Sequence, residues 1–228
     1  MKYENIKEGI FLSRPNRFIA EVLVDGKTER VHVRNTGRLG ELMISGSRCI
    51  LEEGNNPSRK TRYSLTAIEN GGQLVNIDSQ IPNAVASEAL EDGHISEIGI
   101  PQYIKREVKY GASRFDIYYE KDGRKGFVEV KGVTLDVNST AMFPDAPTER
   151  GTKHIHELVS AKSEGYECSV LFVIQMKGIT AFAPNAERDK AFADALKTAY
   201  NAGVNVLAYD CVVTENSILL DKPIKIKL

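Results

Sequence analysis

Between residues 18 and 78, apolar side chains recur at every second position in short runs separated by turn residues. Phe18-Ile19-Ala20-Glu21-Val22-Leu23-Val24 leads through Asp25-Gly26 into Thr28-Glu29-Arg30-Val31-His32-Val33, and a two-residue Asp-Gly turn between alternating runs predicts a β-hairpin. Three further runs follow, Cys49-Ile50-Leu51, Arg62-Tyr63-Ser64-Leu65-Thr66-Ala67-Ile68 and Gln73-Leu74-Val75-Asn76-Ile77, the last two joined through Asn70-Gly71-Gly72. Five short strands within about 60 residues predict a small closed barrel of the oligonucleotide-binding (OB) kind, a pattern that an SH3-like barrel would share.

At Ile81-Pro82-Asn83 the pattern changes, and the domain boundary is placed there, giving units 1–80 and 81–228. Asn83 is a suitable cap for a helix over 84–91 that stops near Gly93. Strand patterns then cover 103–110, 114–119 and 127–131. A loop rich in Pro and small residues is expected over 138–147, a helix over 148–164, a buried strand over 169–174, a helix near 186–202 and a strand over 204–209. The expected fold class is α/β (α+β) in two domains, an OB-like β-barrel followed by a mixed sheet flanked by helices.

Composition adds limits rather than a function. With 42% hydrophobic and 27% charged residues the chain is of ordinary globular character. No apolar stretch approaches the roughly 20 residues of a membrane helix, and Met1-Lys2-Tyr3-Glu4-Asn5-Ile6 lacks a signal-peptide core, so a cytoplasmic protein with no membrane partner is expected. Cys49, Cys168 and Cys211 form no paired spacing and read as reduced, buried thiols. A net charge of −1 argues against polyanion binding by bulk charge. Its distribution is uneven: residues 1–70 hold 12 Lys/Arg against 9 Asp/Glu, whereas residues 71–100 hold none against 5.

Candidate chemistry lies in two strand patterns that each carry charge among apolar neighbours, Arg114-Phe115-Asp116-Ile117-Tyr118-Tyr119 and Phe127-Val128-Glu129-Val130-Lys131. Alternation puts Glu129 and Lys131 on one face, and the Asp122-Gly123 turn folds the second strand back so that Asp116 approaches Glu129. Two carboxylates and an ammonium fit phosphodiester hydrolysis with Mg²⁺ or Mn²⁺: Asp116 and Glu129 as oxygen ligands, Lys131 orienting water or stabilising charge on the phosphate. Glu88, on the semi-apolar face of its helix, is a candidate third ligand. The competing reading is a solvated sheet face with ordinary cross-strand pairs.

Arg150 and His154 recur on one helix face and form a candidate phosphate site, with a solvated flank as the alternative. His154 and His156, two apart on a helix, point away from each other and cannot grip one zinc ion. In the barrel, Arg34 and Arg38, with Arg48, Arg59, Lys60 and Arg62, surround the loops Asn35-Thr36-Gly37 and Gly54-Asn55-Asn56-Pro57-Ser58 and are candidates for holding a DNA backbone. Against that, Tyr63 is the single aromatic residue between Phe18 and Asp78, and the chain has no Trp.

These segments resemble the sugar fermentation stimulation protein A family over nearly the whole chain. The resemblance rests on Val31-His32-Val33-Arg34-Asn35-Thr36-Gly37-Arg38-Leu39, Ile81-Pro82-Asn83, Tyr110-Gly111-Ala112-Ser113-Arg114-Phe115-Asp116, Val128-Glu129-Val130-Lys131-Gly132-Val133-Thr134-Leu135 and Phe143-Pro144-Asp145-Ala146-Pro147-Thr148-Glu149-Arg150-Gly151-Thr152-Lys153-His154. It implies an OB-like barrel joined to a domain similar to the PD-(D/E)xK nucleases, whose motif maps onto Asp116, Glu129 and Lys131. Phe115 stands where that motif's proline would be, and Pro144-Asp145 lies after Lys131, in the wrong order. The resemblance further implies DNA as partner and a link to regulating sugar-utilisation genes, maltose in particular. Two readings follow, a metal-dependent deoxyribonuclease and a DNA-binding regulator that does not cut; a homodimer is compatible with either.

Overall fold

The computed structural model describes every residue except Pro57, which belongs to one candidate barrel loop, and Ala112, which belongs to one family-like segment; both lie outside the described residues. Six strands form the N-terminal domain: β1 (Ile6–Asn16), β2 (Ile19–Val24), β3 (Lys27–Val33), β4 (Arg48–Glu53), β5 (Tyr63–Asn70) and β6 (Gln73–Asn76). Antiparallel pairing runs β3-β2-β1-β4-β5, and a parallel contact of β3 with β5, His32 opposite Ser64 and Val33 opposite Leu65, closes the ring. The barrel is therefore the five strands β1 to β5, and β6 is a hairpin extension of β5.

The first barrel strand was not expected. Gly9 and Phe11 are its only buried positions, and Ile10-Phe11-Leu12 are consecutive apolar residues, so no period of two shows in the sequence. Gly9 is where β1 and β2 cross most closely, since a Cβ there would stand 2.4 Å from Val22 Cγ1. The expected Asp-Gly turn is present, with Asp25 at φ 48° and Gly26 at φ 77°, the double positive φ of a tight hairpin.

The C-terminal domain begins with α1 (Pro82–Glu91) and continues through β7 (Tyr103–Tyr110), β8 (Ser113–Lys121), β9 (Arg124–Val133), β10 (Leu135–Val137), β11 (Thr140–Phe143), α2 (Glu149–Ser163), β12 (Glu167–Ile174), β13 (Ala181–Pro184), α3 (Lys190–Asn201), β14 (Asn205–Val213), β15 (Ile218–Pro223) and β16 (Lys225–Ile226). A mixed six-stranded sheet has the order β15-β14-β12-β9-β8-β7, with β9, β12 and β14 parallel. The segment expected as a loop over 138–147 contains β11, which sits in a small second sheet, β10-β11-β13-β16.

Helices cover both faces of the large sheet. Val85, Ala86, Ala89 and Leu90 of α1 pack on Ile117, Val128, Val130 and Leu171. Ile155, Leu158 and Ala161 of α2, with Phe192 and Leu196 of α3, pack on Phe115, Phe127, Val170 and Phe172. Both faces being covered explains why β12 is buried from Cys168 to Ile174 and apolar throughout 170–174. No helix among the described residues is long and apolar enough to cross a membrane, and all three cysteines are free and buried.

One buried amide ties the domains together. Gln175 Nε2 donates to Asn76 O (3.1 Å), Asn76 Oδ1 (2.9 Å) and Asp78 O (3.1 Å), while the Asn76 N–H donates to Gln175 O (3.0 Å). The apolar core also runs across, joining Leu39, Val75 and Ile77 of the barrel to Val133, Ala141 and Met176. Gln175→Ala removes three hydrogen bonds to buried acceptors of Asn76 and Asp78, so urea unfolding should show a loss of about 2 kcal/mol. A change below about 0.5 kcal/mol would show that other contacts carry the junction.

Candidate active site

The hairpin of β8 and β9 turns at Asp122 (φ 51°) and Gly123 (φ 75°) and pairs back as far as Ile117 opposite Val128. Continued by two residues, that register would set Phe115 opposite Val130. Instead the Val130 N–H donates to Asp116 Oδ2 at 2.8 Å, so a side chain takes the place of a ladder carbonyl and the strands part there. The strand also changes phase: Ile117 and Tyr119 face α1, while Phe115 faces α2. On the other side, the β7 pairing skips Glu107, whose φ is +58°.

Asp116 Oδ1 accepts from Asn83 Nδ2 at 2.8 Å. Asn83 is thus not the helix cap. The helix starts two residues earlier than expected, at Pro82, with Ile81 at the cap position and no side-chain cap bond. That register buries Val85, Ala86, Ala89 and Leu90 and turns Glu88 outward, where it pairs with the Met1 amino group. The expected third carboxylate is therefore absent from the site: α1 presents the amide of Asn83 to Asp116 instead.

Glu129 is 1% exposed. Its Oε1 meets Lys131 Nζ at 2.5 Å and His154 Nδ1 at 2.5 Å, while Oε2 is buried with no partner among the described residues. Burial alone would raise its pKa, but the His154 hydrogen bond and the Lys131 charge outweigh that and hold the carboxyl below its ordinary range. Asp116 goes the other way: burial, then the negative charge of Glu129, raise it despite the Val130 and Asn83 hydrogen bonds. A buried and a half-buried carboxylate thus share this site with a single ammonium, Lys131, which lies on Glu129 Oε1.

His154 reaches Glu129 because α2 is firmly anchored. Thr148 Oγ1 accepts from the Gly151 N–H (3.0 Å), and Asp189 accepts from both the Thr148 N–H (2.8 Å) and the Phe192 N–H (3.0 Å), fixing the starts of α2 and α3 with one carboxylate. The residue expected to hold phosphate therefore orients a carboxylate. Arg150 is exposed and, with Lys109, Ser113, Arg114 and Lys153, lines an open groove of about 730 Å³ whose wall includes His154. Two of these cations have partners, Arg114 with Glu107 at 2.8 Å and Lys153 with Glu157 at 3.8 Å. Both ion pairs join largely exposed or loosely spaced groups and yield readily to a phosphate.

On the barrel the expected basic surface is largely consumed. Arg34 donates to Asp78 (2.9 Å), Glu52 (2.6 Å) and Ser64 (3.2 Å), so it is a structural cation rather than an open phosphate ligand. Arg48 pairs with Glu8 and Glu215, Arg62 with Glu53, and Arg59 donates to Ser64 Oγ. Arg38 alone of the two named candidates is exposed to solvent. An unforeseen residue, Arg14, holds the Asn35–Arg38 loop by donating to the carbonyls of Gly37 (2.7 Å), Arg38 (2.8 Å), Arg17 (2.8 Å) and Asn35 (2.7 Å).

For a metal, the donors of Asp116 and Glu129 are hard oxygens, and Glu129 Oε2 is a buried acceptor with no partner among the described residues. No set of three His, Cys, Asp or Glu among the described residues could hold an ion. That fits a cation satisfied by one or two carboxylates, with water and substrate completing its shell, and does not fit a structural zinc.

Residues 12–77 match the family model for the SfsA N-terminal OB domain, and residues 80–217 match that for the sugar fermentation stimulation protein RE domain. The chain belongs to the sugar fermentation stimulation protein family. It is 54% identical over 225 residues to a sugar fermentation stimulation protein homolog of Alkaliphilus oremlandii, covering 96% of each chain. A homolog from Desulfitobacterium hafniense is 53% identical over 228 residues, covering 100% of this chain and 99% of the other. Among solved structures, Pyrococcus furiosus SfsA in complex with Ca²⁺ superposes with a TM-score of 0.89 at 30% identity, over 100% of this chain and 98% of that one.

Proposed function

We propose that this family member is a divalent-metal-dependent nuclease acting on DNA, with Asp116 and Glu129 holding the ion. The observation that carries the reading is Glu129 Oε2, a buried carboxylate oxygen without a partner among the described residues, near the half-buried carboxylate of Asp116, whose pKa burial and the Glu129 charge raise. A protein that only bound phosphate would gain nothing from two acids facing a polyanion. The solved relative described with Ca²⁺ supports a hard-cation site in this family.

When bound, Mg²⁺ or Mn²⁺ would polarise the scissile phosphate and lower the pKa of the attacking water. The chain's own groups do the rest. Val130 N–H and Asn83 fix the Asp116 carboxylate, and His154 and Lys131 fix Oε1 of Glu129 so that Oε2 faces inward. Lys131 Nζ carries further protons that can orient the water or stabilise charge on the phosphate. Lys109, Arg114, Arg150 and Lys153 hold the backbone alongside.

A second reading, a DNA-binding regulator of sugar-utilisation genes, draws on the names of the relatives. End-labelled single- and double-stranded DNA incubated with wild type or Glu129→Ala/Lys131→Ala in Mg²⁺, Mn²⁺ or EDTA separates the two. Metal-dependent cutting by wild type alone supports the nuclease; retention without cutting in every metal supports the regulator. Independently of turnover, Mg²⁺ at about 100 times its Kd should stabilise wild type by about 2.7 kcal/mol and leave Glu129→Gln nearly unmoved, as read by thermal melting. Equal shifts would place the ion elsewhere.

A further inference from the structure

A cavity of about 320 Å³ lies where the two domains meet, and it begins one residue beyond Lys131, at Gly132 and Val133. The barrel side contributes the Asn35–Gly37 loop, which Arg14 holds through the carbonyls of Asn35, Gly37 and the adjoining Arg38, so this wall is pre-formed. No Lys, Arg or His lines the cavity among the described residues, which makes it unsuited to a phosphate. Beside hydroxyls such as those of Thr36 and Thr134, its acceptors include the Asp145 carboxylate and the Gln175 amide oxygen. The half-buried Asp145 carboxylate lies against Gly37, where a Cβ would stand 2.8 Å from Asp145 Oδ2. Gln175 has its Nε2 committed to Asn76 and Asp78, while its Oε1 lies 2.6 Å from where a Cβ on Gly132 would stand. Phe143, braced by Phe192 (5.0 Å) and Phe172 (5.7 Å), forms an aromatic wall.

We infer that this cavity takes one unstacked nucleobase of the bound strand, of the kind that carries an exocyclic amine. The inference rests on the nuclease reading for the strand that delivers the base. The division of labour is electrostatic: cations of the Arg150 groove meet the phosphates, while an uncharged ring with N–H donors satisfies Asp145 and Gln175 in a cavity of small-molecule size. Aromatic Phe143 and the apolar Leu39 and Met142 face the ring. Val133, two residues beyond Lys131 and on the same face of β9, is part of the cavity wall, so a strand whose phosphate stands at Lys131 runs towards it.

The test titrates dAMP, dCMP, dGMP and TMP into wild type, Asp145→Ala and Thr134→Phe by calorimetry in EDTA. Oligonucleotides carrying one 2-aminopurine are then bound to Lys131→Ala without metal. Amine-bearing nucleotides should bind wild type about tenfold more tightly than TMP, Asp145→Ala should erase that preference, and Thr134→Phe, which fills the cavity, should abolish binding. One 2-aminopurine position should brighten on binding as its base leaves the stack, and Thr134→Phe should remove the signal. Thermal melts verify that both variants fold; if Thr134→Phe does not, Asp145→Ala decides alone. Nucleotide binding without preference, no brightening at any position of a bound strand, or binding of maltose in place of nucleotides would each overturn the inference. Because these readings need no cleavage, a nuclease that cuts but shows none of them, and a non-cutting protein that shows them all, are told apart.

Discussion

Lys131→Ala should lower the rate of DNA cleavage by about two to three orders of magnitude while leaving DNA retention within about twofold. The asymmetry follows from where the charges sit. Lys131 is mostly buried and its Nζ lies on Glu129 Oε1, so in the proposed nuclease it acts at the scissile phosphate, while the exposed cations of the groove, Lys109, Arg114, Arg150 and Lys153, would carry the backbone. The variant should fold, because His154 still holds Glu129 Oε1. Single-turnover cleavage measured beside filter retention on the same samples checks it. Undiminished cleavage would remove Lys131 from the mechanism; cleavage and retention falling together would make Lys131 a binding residue instead.

The elements that position this site were legible to different degrees. β8 and β9 could be read because their alternation is strong and Asp-Gly admits both positive φ angles of the turn between them. What could not be read is the break in the ladder at Asp116, since replacing a backbone carbonyl by a carboxylate leaves no periodic trace. Asn83 misled for a related reason: Asn before an apolar run is a good cap signal, but Pro at the first helical position moved the start by two residues and freed the amide for Asp116. The same shift turned Glu88 away. β1 escaped because its bulges and its glycine interrupt alternation. Gln175 and Arg14 carried no local signal at all, because what they do depends on carbonyls brought close only by the domain junction and by the barrel's loops. His154 was read on the right helix and in the right neighbourhood, yet with the wrong partner. Composition can suggest that a cation is nearby, but only the packing of α2 on β9 decides that the imidazole meets a carboxylate first.

Arg34 gives the sharpest case of a charge whose role depends on its partners. As a phosphate ligand it would be dispensable for folding, and Arg34→Ala would only weaken DNA binding and flatten its salt dependence. In the fold, its side chain is 18% exposed and it neutralises Asp78, whose side chain is fully buried. Removing one partner of such a pair leaves a buried charge uncompensated, so Arg34→Ala should cost about 3–5 kcal/mol. The pH dependence gives the sign. Burial raises the Asp78 pKa, opposed first by the Gln80 amide and then by Arg34; without Arg34 it rises further. A carboxyl with a raised folded-state pKa favours folding most below its unfolded value, and that advantage is lost as pH rises through the folded pKa. The variant's deficit should therefore be smallest in acid, where Asp78 keeps its proton in both states, and should widen towards neutral pH. Urea unfolding of wild type and Arg34→Ala across that range checks it, with Arg38→Ala as the exposed control that should leave stability within about 0.5 kcal/mol. A deficit independent of pH would mean that Arg34 acts by packing its stem rather than by charge. No deficit, joined to a reduced salt slope for DNA, would return Arg34 to the nucleic-acid surface.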